Sequence, residues 1–324
     1  MRLQIFLNMK KITREDIHLI SKHSNWSKRA VQKSLEDNIY SNSKAWTKFL
    51  RLLLISLGVG FTTAGILFFF AYNWNDLHKF VKIGMMEGLV VVSTLLVLFS
   101  RFSLLIKNIL LTGAVVLVGV LFAVFGQVYQ TGANAYDFFL GWTFAVTLWV
   151  VISNFPPLWL IFLVLINTTF ILYTEQVAQD WSYSFICLLI VLINSFFLVS
   201  SLLIAHFKDY KIPNWFTNII ALAVVVYGTF GITFGLFDDF NSTFGLLIIA
   251  VFSLFGMGIY YGLKIKSGFY LAIISFGLIF IFSGFLIKIS TNELMFFVVS
   301  LFIIGSVTLV IKSLIDLQKK WNHE

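Results

Sequence analysis

The sequence predicts an all-α, polytopic integral membrane protein with about ten transmembrane helices and a small N-terminal helical cytoplasmic module. Three observations predict it. First, 59% of the 324 residues are hydrophobic and only 12% are charged, with a mean hydropathy of +0.92. A soluble domain rarely exceeds about half apolar residues, so lipid must serve as solvent for much of this chain. Second, the apolar runs are about 16–23 residues long and show no strand-like alternation. Only helices and closed barrels satisfy their backbone in lipid, and this length suits a helix crossing about 30 Å of hydrocarbon. Third, Lys and Arg concentrate on alternate segments between the apolar runs, in the manner that sets membrane orientation.

The N-terminal module comes first, over residues 1–48. The apolar piece after Met1 and Arg2 is only LQIFL, shorter than the roughly 7–15 residues of a signal peptide, and Met9 offers an alternative start. Thr13-Arg14-Glu15-Asp16 has the form of a capping box, with Ile12 and Ile17 placed for a hydrophobic staple. Ile17 and Ile20 then share a helix face. Ser27 is placed to cap a second helix carrying Ala30, Val31 and Leu35. Two short basic helices do not imply nucleic-acid binding, because phosphate attraction alone reads no sequence. The expected partner is the inner leaflet. Trp46 and Phe49, among Lys44, Lys48 and Arg51, form an interfacial anchor for the first span.

Ten spans follow within a transmembrane domain of residues 49–313: 52–72, 83–100, 109–129, 137–152, 158–174, 183–205, 216–237, 244–262, 268–287 and 294–312. Residues 314–324 form a cytoplasmic tail. With the N-terminus inside, 20 of the 23 Lys and Arg fall on inner segments, leaving Lys79, Lys82 and Lys288 outside. The opposite orientation inverts that bias, and an odd number of spans scrambles it. Both termini are therefore expected in the cytoplasm, and the pI of about 9.4 reflects sidedness. A cytoplasmic face this basic is expected to lie against anionic lipids.

Motifs for chemistry are missing. There is no HExxH, GxSxG or Walker A sequence, and the five histidines are scattered among loops and tails. The single cysteine, Cys187, lies in an apolar run and reads as a small buried residue. Neither catalysis, a metal nor a cofactor is expected. Gly231 and Gly235 form a GxxxG, and Ser56, Gly60 and Ala64 a small-residue row; both are read as close helix packing, as is Gly256-Met257-Gly258. All three prolines, Pro156, Pro157 and Pro213, are placed in loops.

Two features depart from this apolar background. Glu87 interrupts the second span, in GMMEGLV, about one turn below its outer end. An acid there costs several kcal/mol by insertion scales. The other is FGQVYQTGANAYDFFLGW, Phe125 to Trp142, polar yet free of Lys and Arg. As a continuation of the third span, it puts Gln127, Gln130, Asn134 and Asp137 within an arc of about 80°, with Tyr129 and Tyr136 roughly opposite. The chain must turn back, and Gly132–Asn134 is the expected break. Glu87, Gln127, Tyr129, Gln130, Asn134, Tyr136 and Asp137 thus compose a candidate polar site in the outer leaflet. The competing reading is an aromatic belt around a satisfied turn.

The same stretch resembles the GQIYQTGADAYDLFLGW-like signature of an uncharacterised bacterial membrane-protein family, domain of unknown function 2157. FFFAYNWNDL, Phe68 to Leu77, resembles that family's phrase after its first span. The resemblance covers the chain to about residue 150. Asn134 stands where the family pattern has Asp. What the resemblance implies is a multispanning inner-membrane protein, and it carries over no catalytic residue. Two functions are expected to compete: transport or sensing of a small solute through the polar site, and a non-catalytic scaffold or envelope-assembly role with a membrane-protein partner.

Overall fold

The computed structural model describes residues 14–40, 43–72, 77–129, 132–207, 212–238, 240–290 and 292–323. The expected Thr13 box, Met9 and Gln130 lie outside these residues. All regular structure among them is helical. Two short helices, α1 (Arg14–Lys22) and α2 (Lys28–Asn38), precede α3 (Ser43–Tyr72), α4 (Lys79–Phe99), α5 (Leu104–Tyr129) and α6 (Ala135–Ser153). Then come α7 (Pro156–Gln176), α8 (Tyr183–Phe207), α9 (Asn214–Gly235), α10 (Ser242–Lys264), α11 (Gly268–Ile289) and α12 (Glu293–His323). The helices from α3 onward are the ten long and apolar enough to cross a membrane, matching the ten expected spans in order.

The chain forms two compact units, Met1–Leu117 and Val118–Glu324. In the first, α1 and α2 form a hairpin around Ile17, which is 1% exposed. The Ser27 hydroxyl accepts the Ala30 N–H at 3.2 Å, as its placement before an apolar pair predicts. Ile20 does not join Ile17 inside and is largely exposed. Helix α3 approaches α5 where Gly113 leaves space: a Cβ there would lie 2.6 Å from Val59 Cγ1. That contact uses the Val59–Thr63 face of α3. The Ser56–Gly60–Ala64 row lies on a different face, so it is exposed, with nothing within 4 Å of Gly60. Among the described residues of the first unit, the packing expected of that row is not made.

The second unit is centred on α9, which packs on α8, α10 and α11. Glycines set the spacing. A Cβ at Gly231 would come within 2.8 Å of Cys187 on α8, and one at Gly235 within 2.6 Å of Phe244 on α10. Cys187 is buried there, as expected, beside Val191, Val224, Leu247 and Ile274. Gly277 and Gly284 of α11 face Thr229 and Thr233 of α9, at 2.7 Å from a built Cβ in each case. Gly258 packs on Ile274, whereas Gly256, about 200° away on α10, faces open space. Lys288 Nζ donates to the Leu236 carbonyl, joining the ends of α11 and α9.

Two of the three prolines, Pro156 and Pro157, need a correction, while Pro213 lies before its helix as expected. Pro156 and Pro157 open α7 as its first two residues, and Pro213 is the N-cap of α9. The first turn of a helix has no intrahelical use for its N–H groups, so proline fits there without breaking anything.

Candidate functional site

The amide-rich bend is a tightly built helical hairpin. Helix α5 ends at Tyr129 and α6 begins at Ala135, and Gly132 takes φ +66° between them. The break therefore falls where the sequence places it, and glycine is suited to that left-handed backbone. Within the second unit, the two arms mesh large against small. A Cβ at Gly119 would sit 2.5 Å from Trp142, one at Gly126 2.5 Å from Phe138, and one at Gly141 2.9 Å from Phe122. Phe125 and Tyr129, one turn apart on α5, meet at a tilt of 50° with 4.7 Å between centroids.

Asp137 of the bend and Gln176 of α7 take up backbone N–H groups at the start of α6. A helix leaves its first N–H groups without intrahelical partners. The Asp137 carboxylate accepts the Asn134 backbone N–H at 3.0 Å in a capping box, with Asn134 at the N-cap. Gln176, at the far end of α7, accepts the Tyr136 N–H through Oε1 at 3.1 Å. The Tyr136 ring meets Tyr173 edge-on at 5.4 Å, and Tyr173 meets Trp181 at 5.9 Å. The bend is thus anchored to α7 by one amide and one aromatic contact. Gln127 and Tyr129 remain exposed on the last turn of α5.

Glu87 is placed differently from expectation. Helix α4 starts at Lys79, four residues before the expected boundary, so Glu87 lies about 12 Å along it, near the middle. It is exposed, about 100° around the helix from Met86 and about 140° from Lys82, the two buried residues of α4. Among the described residues Lys82 is the charged side chain that is buried, at 8% exposure. Lys82 was passed over because the expected span begins at residue 83, and because hydropathy marks a charge in a run but not the face it takes.

Other polar residues were missed for the same reason. Asn167 of α7 and Asn194 of α8 exchange amide hydrogen bonds at 2.8 and 3.3 Å. Each also donates to the carbonyl four residues before it, Leu163 or Ile190, at 2.8 Å. Thr143 of α6 and Thr169 of α7 lie 3.3 Å apart, oxygen to oxygen. Two asparagines in apolar runs were the available signal. The interhelical pairing itself has no local signature.

Architecture and hydropathy define a multispanning helical membrane protein. Residues 26–159 match the family described as "Predicted membrane protein (DUF2157)", which bears out the resemblance carried by the 125–142 signature. No curated protein and no solved structure matches the chain.

Proposed function

We propose that this protein is a non-catalytic scaffold of the bacterial plasma membrane, with both termini cytoplasmic, that binds another membrane protein through the first unit. One contrast carries the reading. In the second unit, Gly228, Gly231 and Gly235 of α9 and Gly277 and Gly284 of α11 are filled by neighbouring side chains, while Gly256, Gly268 and Gly305 are open; in the first unit Gly113 is filled. In the first, Gly58, Gly60, Gly65, Gly84 and Gly88 all have nothing within 4 Å. Small residues in a span permit close helix approach, and lipid tails gain nothing from them that a larger side chain would not offer. The Gly84–Gly88 pair faces away from the buried Lys82–Met86 stripe of the same helix. The cation distribution supports the orientation and an anionic-lipid contact at the cytoplasmic face.

Photo-cross-linking in native membranes tests this. A specific partner is expected with the wild type, lost with Gly60→Ile or Gly84→Ile, and retained with Gly256→Ile, an equally open glycine of the second unit. Recovery of the protein alone at every detergent strength would sink the scaffold.

A second reading, solute transport or sensing, draws on the exposure of Glu87, Gln127 and Tyr129. The set read from sequence also holds Asn134, Tyr136 and Asp137, and Gln130, which lies outside the described residues. Reconstituted vesicles decide it: Glu87→Gln is expected to abolish flux or ligand binding, and wild-type behaviour of that variant removes the reading.

A further inference from the structure

Two segments about fifty residues apart open onto one groove of about 600 Å³ in the first unit. Lys48, Arg51 and Leu52 line it from the first turns of α3, and Ser103, Leu105 and Ile106 from the start of α5. The volume lies within the range of small-ligand sites. Its chemistry divides in two. Lys48 and Arg51, three residues apart, share one face of α3, and no acid lines the groove. Ser103 precedes α5, and its carbonyl accepts the Lys107 N–H at 3.0 Å, so the free N–H groups of a 26-residue helix begin beside the two cations. Leu52, Leu105 and Ile106 supply an apolar wall.

The level of the groove identifies the ligand. The long apolar run of α3 begins at Leu52, directly after the turns that carry Lys48 and Arg51. Trp46 and Phe49 pair edge-on at 5.8 Å in the same turns, where aromatic residues mark the boundary between headgroups and tails. A soluble anion would use the cations and leave the apolar wall idle. We propose that the groove binds an anionic glycerophospholipid, with its phosphodiester between Lys48 and Arg51 and an acyl chain along Leu52, Leu105 and Ile106. The Arg51 fork suits two phosphate oxygens, and Lys48 adds a point charge. This site is independent of the scaffold reading.

The full-length protein in neutral detergent provides the test, with phosphatidylglycerol and phosphatidylcholine of matched chains as probes. Phosphatidylglycerol is expected to raise the thermal unfolding midpoint and to survive into native mass spectra, and phosphatidylcholine to do neither. Lys48→Gln with Arg51→Gln is expected to weaken phosphatidylglycerol binding about 25-fold, at about fivefold per cation. Lys319→Gln with Lys320→Gln removes equal charge from the end of α12 and is expected to leave binding unchanged. Ser103→Glu, which puts a carboxylate against the phosphate, is expected to weaken binding as well and decides the matter if the double variant fails to fold. Equal retention of both lipids overturns the proposal. So does an equal loss in the α12 variant, or displacement of the lipid by millimolar inorganic phosphate.

Discussion

Asn167 and Asn194 show how single side chains are held in this interior. Each amide donates to its partner and to its own helix, so neither leaves a polar group unmet in apolar surroundings. Replacing Asn194 by Leu strands the Asn167 amide. The expected cost is about 1–2 kcal/mol, read as a loss of unfolding free energy in bicelles. Leu at both positions is expected to recover most of that loss, because no polar group is then orphaned. Strict additivity of the two substitutions would refute the pairing. Legibility at this scale depends on how local the interaction is. Ser27 was readable as a cap because its partner is three residues away. The exposure of Glu87 and the burial of Lys82 depend on which side of α4 meets protein, and no neighbour along the chain encodes that.

Among elements, the α5–α6 hairpin depends on bulk opposite bulklessness at three levels: Gly119 with Trp142, Phe122 with Gly141, and Gly126 with Phe138. Gly126→Leu is expected to destabilise by about 1–3 kcal/mol through overpacking. Phe138→Ala in the same chain should restore part of the loss, and a double variant worse than Gly126→Leu would contradict the contact. The α9–α11 contact has the same logic. Gly277→Val drives a side chain into Thr229 and is expected to lower the melting temperature in detergent, whereas Gly256→Val on the open side of α10 leaves it unmoved. The GxxxG of α9 was readable as packing and does pack. The row on α3 had the same appearance and does not, since a motif states that a close approach is permitted without naming a neighbour. Pro156 and Pro157 were read as loop residues because proline marks both a loop and a helix start.

For the whole molecule, the ten membrane-crossing helices were legible because water against lipid is a large, local contrast that each run reports by itself. The division into Met1–Leu117 and Val118–Glu324 was not. Lipid tails are as apolar as leucine, so hydropathy is the same for a helix facing lipid and one facing protein. Orientation can be checked at this scale. Reporters fused at both termini are expected on one side of the membrane, and a reporter inserted after His78 on the other. Termini found on opposite sides would remove the assignment of inner and outer loops. The glycine contrast between the units also has a practical consequence during purification. Surfactant molecules can nestle into the vacant notches along α3 and α4, yet find none of that foothold between α9 and its neighbours, so harsh solubilisation should erode one part of the chain well before the other.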